Sequence, residues 1–128
     1  MKENPKELKY SKEHEWVKID GDIATMGITD HAQELLTDIV FVELPVVGKT
    51  LEQMKQACVV ESVKSASDVF APMSGVVTEV NTAIKDHPEL INQDPFGKGW
   101  MVKFKIKDES ELSKLMTKEE YDKYIKVH

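Results

Sequence analysis

Apolar and polar residues alternate with a two-residue period in several short runs of this chain, and glycine, proline and aspartate separate the runs. Glu15-Trp16-Val17-Lys18-Ile19 alternates, Asp20-Gly21-Asp22 offers a turn, and Ile23-Ala24-Thr25-Met26-Gly27-Ile28 returns, which predicts a hairpin. Thr29-Asp30-His31-Ala32-Gln33 predicts a helix start, with Asp30 as the cap and Gln33 as its capping-box partner, running to about Leu36. Asp38-Ile39-Val40-Phe41-Val42-Glu43-Leu44 is the strongest buried-strand candidate, ended by Pro45. Gly48 and a weakly helical Leu51-Glu52-Gln53-Met54 lead into a second hairpin with Lys64 at its tip, and its second arm ends at Pro72. Ser74-Gly75 turns the chain into a strand over 76–80. Strands 59–63 and 76–80 then lie either side of 68–71, as in a meander or a flattened barrel. Residues 81–99 read as loop, with one short helical piece near Pro88-Glu89-Leu90-Ile91 and a break at Asp94-Pro95-Phe96-Gly97. Beyond it Trp100, Val102, Phe104 and Ile106 alternate onto one strand face. Thr117-Lys118-Glu119-Glu120 is a capping box that opens a C-terminal helix, with Tyr121, Tyr124 and Ile125 as its apolar stripe. The pattern predicts a mainly β domain spanning residues 1–128, with short helices.

Composition narrows what such a domain does. The 128 residues carry a net charge of −6, and all 17 basic residues are lysine. Without arginine forks or a basic stripe, nucleic-acid recognition is not expected, and the usual clamp for phosphate or carboxylate substrates is missing. Cys58 is the single cysteine, so there is no internal disulfide, and its apolar setting (Ala57-Cys58-Val59-Val60) suits a small core residue. No apolar run is long enough for a membrane span, and the N-terminal residues lack the apolar stretch of a signal peptide. A cytoplasmic location and no membrane association are expected.

Candidate chemistry is sparse. His14, His31, His87 and His128 are scattered, without the i, i+4 spacing of a helical metal site, so no metal is expected. No serine elbow or phosphate-cradling glycine loop is present. Glu15, Asp30, Asp38, Glu61 and Asp68 are carboxylates open to acid–base pairing, solvation or capping. By subtraction the chain has no catalytic apparatus of its own, which leaves a binding module, a structural protein or a carrier of imported chemistry. Lys64 favours the last. A lysine on a tight turn is charged and fully presented, unlike the partly buried lysines that serve as bases or Schiff-base formers, and it suits covalent attachment.

The surrounding residues bear on that choice. In order and spacing, the chain from Tyr10 to Tyr124 resembles the H-protein family of the glycine cleavage system. The likeness rests on His14-Glu15-Trp16-Val17, Gly27-Ile28-Thr29-Asp30-His31-Ala32-Gln33 and the run from Asp38 through Pro45. It continues through Glu61-Ser62-Val63-Lys64 with Ser67-Asp68, Pro72-Met73-Ser74-Gly75, Glu79-Val80-Asn81 and Asn92-Gln93-Asp94-Pro95-Phe96-Gly97-Lys98-Gly99-Trp100. The resemblance implies a flattened β-barrel or sandwich of the biotinyl/lipoyl carrier type (the hybrid motif), with lipoate joined by an amide to Lys64. Glu61, Val63, Ser65 and Gly75 fall where the family's lipoylation segment is recognised. Gly48 and Gly75 match flanking glycines, expected where the backbone turns tightly. Glu15 and Asp68 are expected to line a cleft in which the loaded arm rests.

The resemblance also implies a role and partners. The lipoyl arm would carry the aminomethyl group of glycine from a pyridoxal-phosphate glycine decarboxylase to a tetrahydrofolate-dependent aminomethyltransferase. A flavin-dependent dihydrolipoamide dehydrogenase would then reoxidise it, and a lipoate-attaching enzyme would install it. The chain itself would be a non-catalytic carrier, expected as a monomer. Thr37 and Ser65 depart from the family's usual glycine and alanine. Biotin carriers set their lysine between methionines, whereas Val63 and Ser65 flank Lys64; a 2-oxo acid dehydrogenase lipoyl domain would be followed by a flexible linker and an acyltransferase. The alternative that uses the same lysine is an H-like relay that donates lipoyl groups to other enzymes.

Overall fold

The computed structural model describes residues 2–127. Two antiparallel sheets form the body. The six-stranded sheet has the order β1-β2-β3-β9-β8-β5, and the three-stranded sheet the order β4-β6-β7. The strands are β1 (Lys9–Tyr10), β2 (Glu15–Asp20), β3 (Ile23–Ile28), β4 (Ile39–Glu43), β5 (Thr50–Leu51), β6 (Gln56–Ser62), β7 (Ala66–Phe70), β8 (Gly75–Val80) and β9 (Val102–Ile106). Helices α1 (Asp30–Leu36), α2 (Ala83–Asp86), α3 (Glu89–Gln93) and α4 (Lys118–Val127) cover edges and ends, and a 3₁₀ turn spans Glu109–Lys114.

The core lies between the sheets. Val17, Ala24, Met26, Val77, Val102 and Phe104 of the larger sheet pack in one cluster with Ile39, Val42, Cys58, Val60 and Val69 of the smaller, the arrangement expected when each sheet has one apolar face to hide. A second cluster of Leu8, Tyr10, Trp16 and Tyr121, flanked by Phe96, Trp100, Met116, Tyr124 and Ile125, fastens α4 to the start of the chain. Cys58 is buried in the first cluster, where burial pushes its thiol up to about 12, an unreactive packing group.

The first hairpin forms as the alternation predicts, Glu15 opposite Ile28 and Asp20 opposite Ile23. Thr117 and Glu120 exchange the two hydrogen bonds of a capping box at the head of α4. Other expectations are corrected. The N-cap of α1 is Thr29, whose hydroxyl accepts from Ala32 N at 3.2 Å. Asp30 lies inside the first turn, where its carboxylate accepts from Gln33 Nε2 and from the backbone N–H of Lys2. The weakly helical 51–54 stretch is the end of β5 and a turn at Met54, because pairing of Thr50 and Leu51 with β8 outweighs local propensity.

Residues 81–99 hold two short helices, α2 and α3, rather than one. Strand β8 does not continue a meander beside β7. It crosses to the larger sheet and pairs with β9 and β5. The last strand begins only at Val102, with Trp100 in the second cluster and Met101 and Val102 both buried. The strict alternation from Trp100 therefore breaks where the chain passes from one cluster to the other. Gly48 has φ 96°, the left-handed backbone that a tight turn needs. Gly75 does not. A Cβ there would stand 2.3 Å from the Lys105 carbonyl oxygen, so its glycine serves close approach of β8 to β9.

Candidate functional site

Lys64 stands at the middle of the three-residue connection between β6 and β7, Val63-Lys64-Ser65. Ser62 organises it. Ser62 N donates to Ser65 O at 2.8 Å, and its hydroxyl oxygen accepts from Lys64 N and Ser65 N, both at 3.1 Å. Val63 N reaches across to Asp38 O at 3.0 Å and ties the tip to the start of β4. Side chains at the tip face solvent: Val63, Lys64, Ser65 and the neighbouring Glu61 are all exposed. Glu61 sits one residue before Ser62, opposite Ala66 on one side and Phe41 on the other. Gly75, grouped with these residues by the sequence, lies in the other sheet. The Lys64 ammonium bends back and donates to Leu35 O at 2.9 Å, in the last turn of α1, a helix end whose free carbonyls favour a cation.

Leu35 leads from the lysine to a cleft of about 280 Å³. Ile28, Ala32, Leu35, Leu36, Val60 and Val69 give it apolar walls, and Glu13, His14, Glu15, Ser67 and Asp68 give it polar ones. Glu15 and Asp68, far apart in sequence, are thus brought to one cavity. Their settings differ. Asp68 is exposed on β7 and accepts from Gln56 Nε2 at 2.8 Å. Glu15 is buried: one carboxyl oxygen accepts from the Ser11 hydroxyl and the other from Phe70 N at 3.2 Å, so it links β2 to β7 across the gap between the sheets. Burial outweighs those two donors and lifts its pKa to about 7.

Periodicity does not show how the polar residues of the cleft come to be buried. Glu15, Trp16 and Val17 are all buried, because the start of β2 is covered on both faces, with Val17 in the main core, Trp16 in the second cluster and Glu15 in the cleft. Alternation alone assigns Glu15 and Val17 to one face and Trp16 to solvent. His14 precedes them with φ 72°, and its Nδ1 lies 2.8 Å from the Tyr121 hydroxyl of α4. Burial, reinforced by His31, drops the His14 pKa to about 4, so the ring is neutral at physiological pH. Among the described residues no group of three or more His, Cys, Asp or Glu is placed to hold a metal ion, and no helix is long and apolar enough to cross a membrane.

The flattened pair of antiparallel sheets, with a lysine at one hairpin tip, defines a fold of the biotinyl/lipoyl carrier type. Comparison with known proteins narrows this. The family described as "Glycine cleavage H-protein" matches residues 8–128. The chain is 54% identical over 121 residues to the glycine cleavage system H protein of Carboxydothermus hydrogenoformans, covering 94% of this chain and 93% of that one. It is 54% identical over 119 residues to that of Acinetobacter baumannii, with 93% and 96% covered. The crystal structure of a glycine cleavage system H protein from Mycobacterium marinum superposes with a TM-score of 0.81 at 37% identity, covering 97% of this chain and 98% of that one. The chain belongs to the glycine cleavage H-protein family.

Proposed function

We propose that this protein is the lipoyl carrier of a glycine cleavage system, with lipoate in amide linkage to Lys64. The observation that carries the reading is the position of Lys64: an exposed lysine on a well-bonded turn, adjoining a cleft with apolar walls and carboxylates in its lining, of which Glu15 is buried. A lipoyl chain is a long aliphatic tether, and the apolar walls fit it. When bound, the group supplies a dithiolane whose sulfur takes up the aminomethyl cargo.

The chain's own residues do the rest. Acylation removes the ammonium charge that now favours the Leu35 carbonyl, which loosens the side chain from α1. The Ser62-centred turn holds the attachment point at the extremity of the hairpin, where a glycine decarboxylase, an aminomethyltransferase, a dihydrolipoamide dehydrogenase and a lipoate-attaching enzyme can each engage it. Tethering raises the local concentration of cargo for each partner, so the carrier needs no acid or base of its own. Between visits Glu15 and Asp68 would receive the cationic amine of the cargo, and a cation seated beside Glu15 would favour its ionised form.

The intact mass of protein expressed with lipoate and a lipoate-attaching enzyme tests this, followed by peptide mapping. A gain of one lipoyl group confined to Lys64, and lost entirely in Lys64→Arg, is expected. No gain under conditions that modify a control lipoyl domain would discard the carrier reading. Loading by glycine and the decarboxylase would then separate glycine cleavage from lipoyl relay.

A further inference from the structure

The C-terminal helix packs on β1 and the second cluster, outside the cleft lining, yet one of its side chains reaches residues of the cleft wall. Tyr121 is fully buried. Its ring stacks on Tyr10 with centroids 4.7 Å apart and planes 7° from parallel. Its hydroxyl sits 2.8 Å from His14 Nδ1 and 2.8 Å from Thr29 Oγ1. These two partners belong to different walls. His14 is part of the Glu13-His14-Glu15 segment that lines the polar end, and Thr29 caps α1, which supplies Ala32, Leu35 and Leu36 to the apolar side. A backbone bond from Thr29 N to His14 O at 3.0 Å joins the same two segments.

We infer that Tyr121 is a positioning residue for the arm cleft: its hydroxyl, between His14 and Thr29, fixes the Glu13–Glu15 segment against α1 and so sets the fit of the cleft to a docked arm. The inference rests on the carrier reading above and extends it to a residue outside the cleft. The inference includes a donor order: Thr29 Oγ1, which accepts from Ala32 N, donates to Tyr121, and Tyr121 donates to His14 Nδ1, which puts the proton of the neutral imidazole on Nε2. The reverse order, His14 Nδ1–H to Tyr121 and Tyr121 to Thr29, satisfies the same distances, and the tautomer measurement below decides between them. The strained φ of His14 is held by this bond together with its neighbours' backbone contacts. Stacking on Tyr10 does not need the hydroxyl, so Tyr121→Phe separates packing from positioning.

The test uses full-length protein, unmodified and lipoylated, as wild type, Tyr121→Phe and Asp68→Asn. Backbone amide shifts at Glu13, His14 and Asp68 report arm docking when unmodified and lipoylated forms are compared, and imidazole 15N shifts report the His14 tautomer. Persistence of the glycine-loaded form is followed alongside. In wild type, lipoylation shifts the cleft amides and His14 is protonated on Nε2. In Tyr121→Phe, loss of a hydrogen bond at the wall weakens docking about threefold, shrinks those shifts, mixes the His14 tautomers and shortens the loaded lifetime, while α4 stays folded and Lys64 is still modified. A purely structural role would lower the melting temperature and leave the docking shifts as they are, which would overturn the assignment alone. No docking shift in wild type, with an unchanged loaded lifetime in Asp68→Asn, would overturn the cleft reading and this assignment with it.

Discussion

The Lys64 tip and the Glu15 cleft share α1 as a border and are built on opposite terms. At the tip the side chains are exposed, and order comes from a few backbone bonds gathered on the Ser62 hydroxyl. In the cleft a carboxyl is buried between two sheets, and order comes from side chains of β2, α1 and α4 that touch only in the folded state. In the proposed function the tip must present a free amine to other proteins, and the cleft must shed water around a charge. Solvation makes the first inexpensive and the second costly. The cost is legible in the chemistry of each: Glu15 is pushed to about pH 7 by burial, whereas Lys64 keeps only a solvent-facing contact to a helix end.

The largest effect that would break this contrast is at Glu15. A carboxyl whose pKa rises from 4.5 unfolded to about 7 folded binds its proton more tightly in the native state. Between those values the native protein holds a proton that the unfolded chain releases, so its contribution to stability is full below about 4.5, falls as pH rises, and levels off above about 7. The total is on the order of 3 kcal/mol. Glu15→Gln removes that slope. Its amide can still face Phe70 N with oxygen and Ser11 with nitrogen, so the variant should match wild type near pH 5 and exceed it in urea denaturation at pH 8. Parallel pH profiles for the two proteins would mean that Glu15 is ionised throughout and that the cleft is wet.

That contrast also explains what could be read in advance. The tip was legible because its information is local: Ser62 to Ser65 are consecutive, and a lysine among small polar residues declares a turn whatever the rest of the chain does. The sheets were legible through alternation wherever one face is buried, as along β3 and β9. Cleft residues depend on long-range packing. Ser11, His14, Thr29 and Tyr121 meet across up to 107 residues of sequence, and β2 is buried on both faces just where they converge, so periodicity gives no sign of them. Family likeness, not periodicity, points to Glu15 and Asp68, and the local pattern favours Asp30 over Thr29 as the cap of α1. Either residue can cap a helix; burial of the Thr29 hydroxyl beside Tyr121 decides between them.

A smaller effect sharpens the tip. Ser62→Ala removes the oxygen that accepts from Lys64 N and Ser65 N while leaving the strand pairing of β6 and β7 intact. Ser62 is itself buried although its neighbours at the tip are exposed, and losing the acceptor of two partly buried bonds costs about 1 kcal/mol. The functional consequence should exceed it, because the attaching enzyme must accept a turn of defined shape. Lipoylation rate at fixed enzyme concentration should fall in Ser62→Ala under conditions where the protein is still fully folded, although its denaturation midpoint drops by a few degrees. An unaltered rate would mean that residues flanking Lys64 are recognised in an extended form rather than as this turn.

The smallest effect lies at the joint between the two regions. Thr37 ends α1 with φ 67° and ψ −149°, a region that glycine occupies freely and a β-branched residue does not. Its backbone is over-determined: its N–H donates to Gln33 O at 2.9 Å and its C=O accepts from Asn92 Nδ2 at 2.8 Å. The next residue, Asp38, supplies the carbonyl that holds Val63 N at the tip. The Thr37 side chain is exposed and buries nothing that glycine would forfeit. Thr37→Gly relieves strain of about 1–2 kcal/mol and loosens the unfolded chain by about 0.5–1 kcal/mol, for a net gain of about 0–1.5 kcal/mol in thermal or urea unfolding. If the variant is instead less stable, the Thr37 hydroxyl or methyl makes an interaction that outweighs its backbone. If it is more stable but also slower to be lipoylated, the strain at this joint is what holds the hairpin tip against α1, and the departure from the family's glycine is a feature of how this protein presents its lysine.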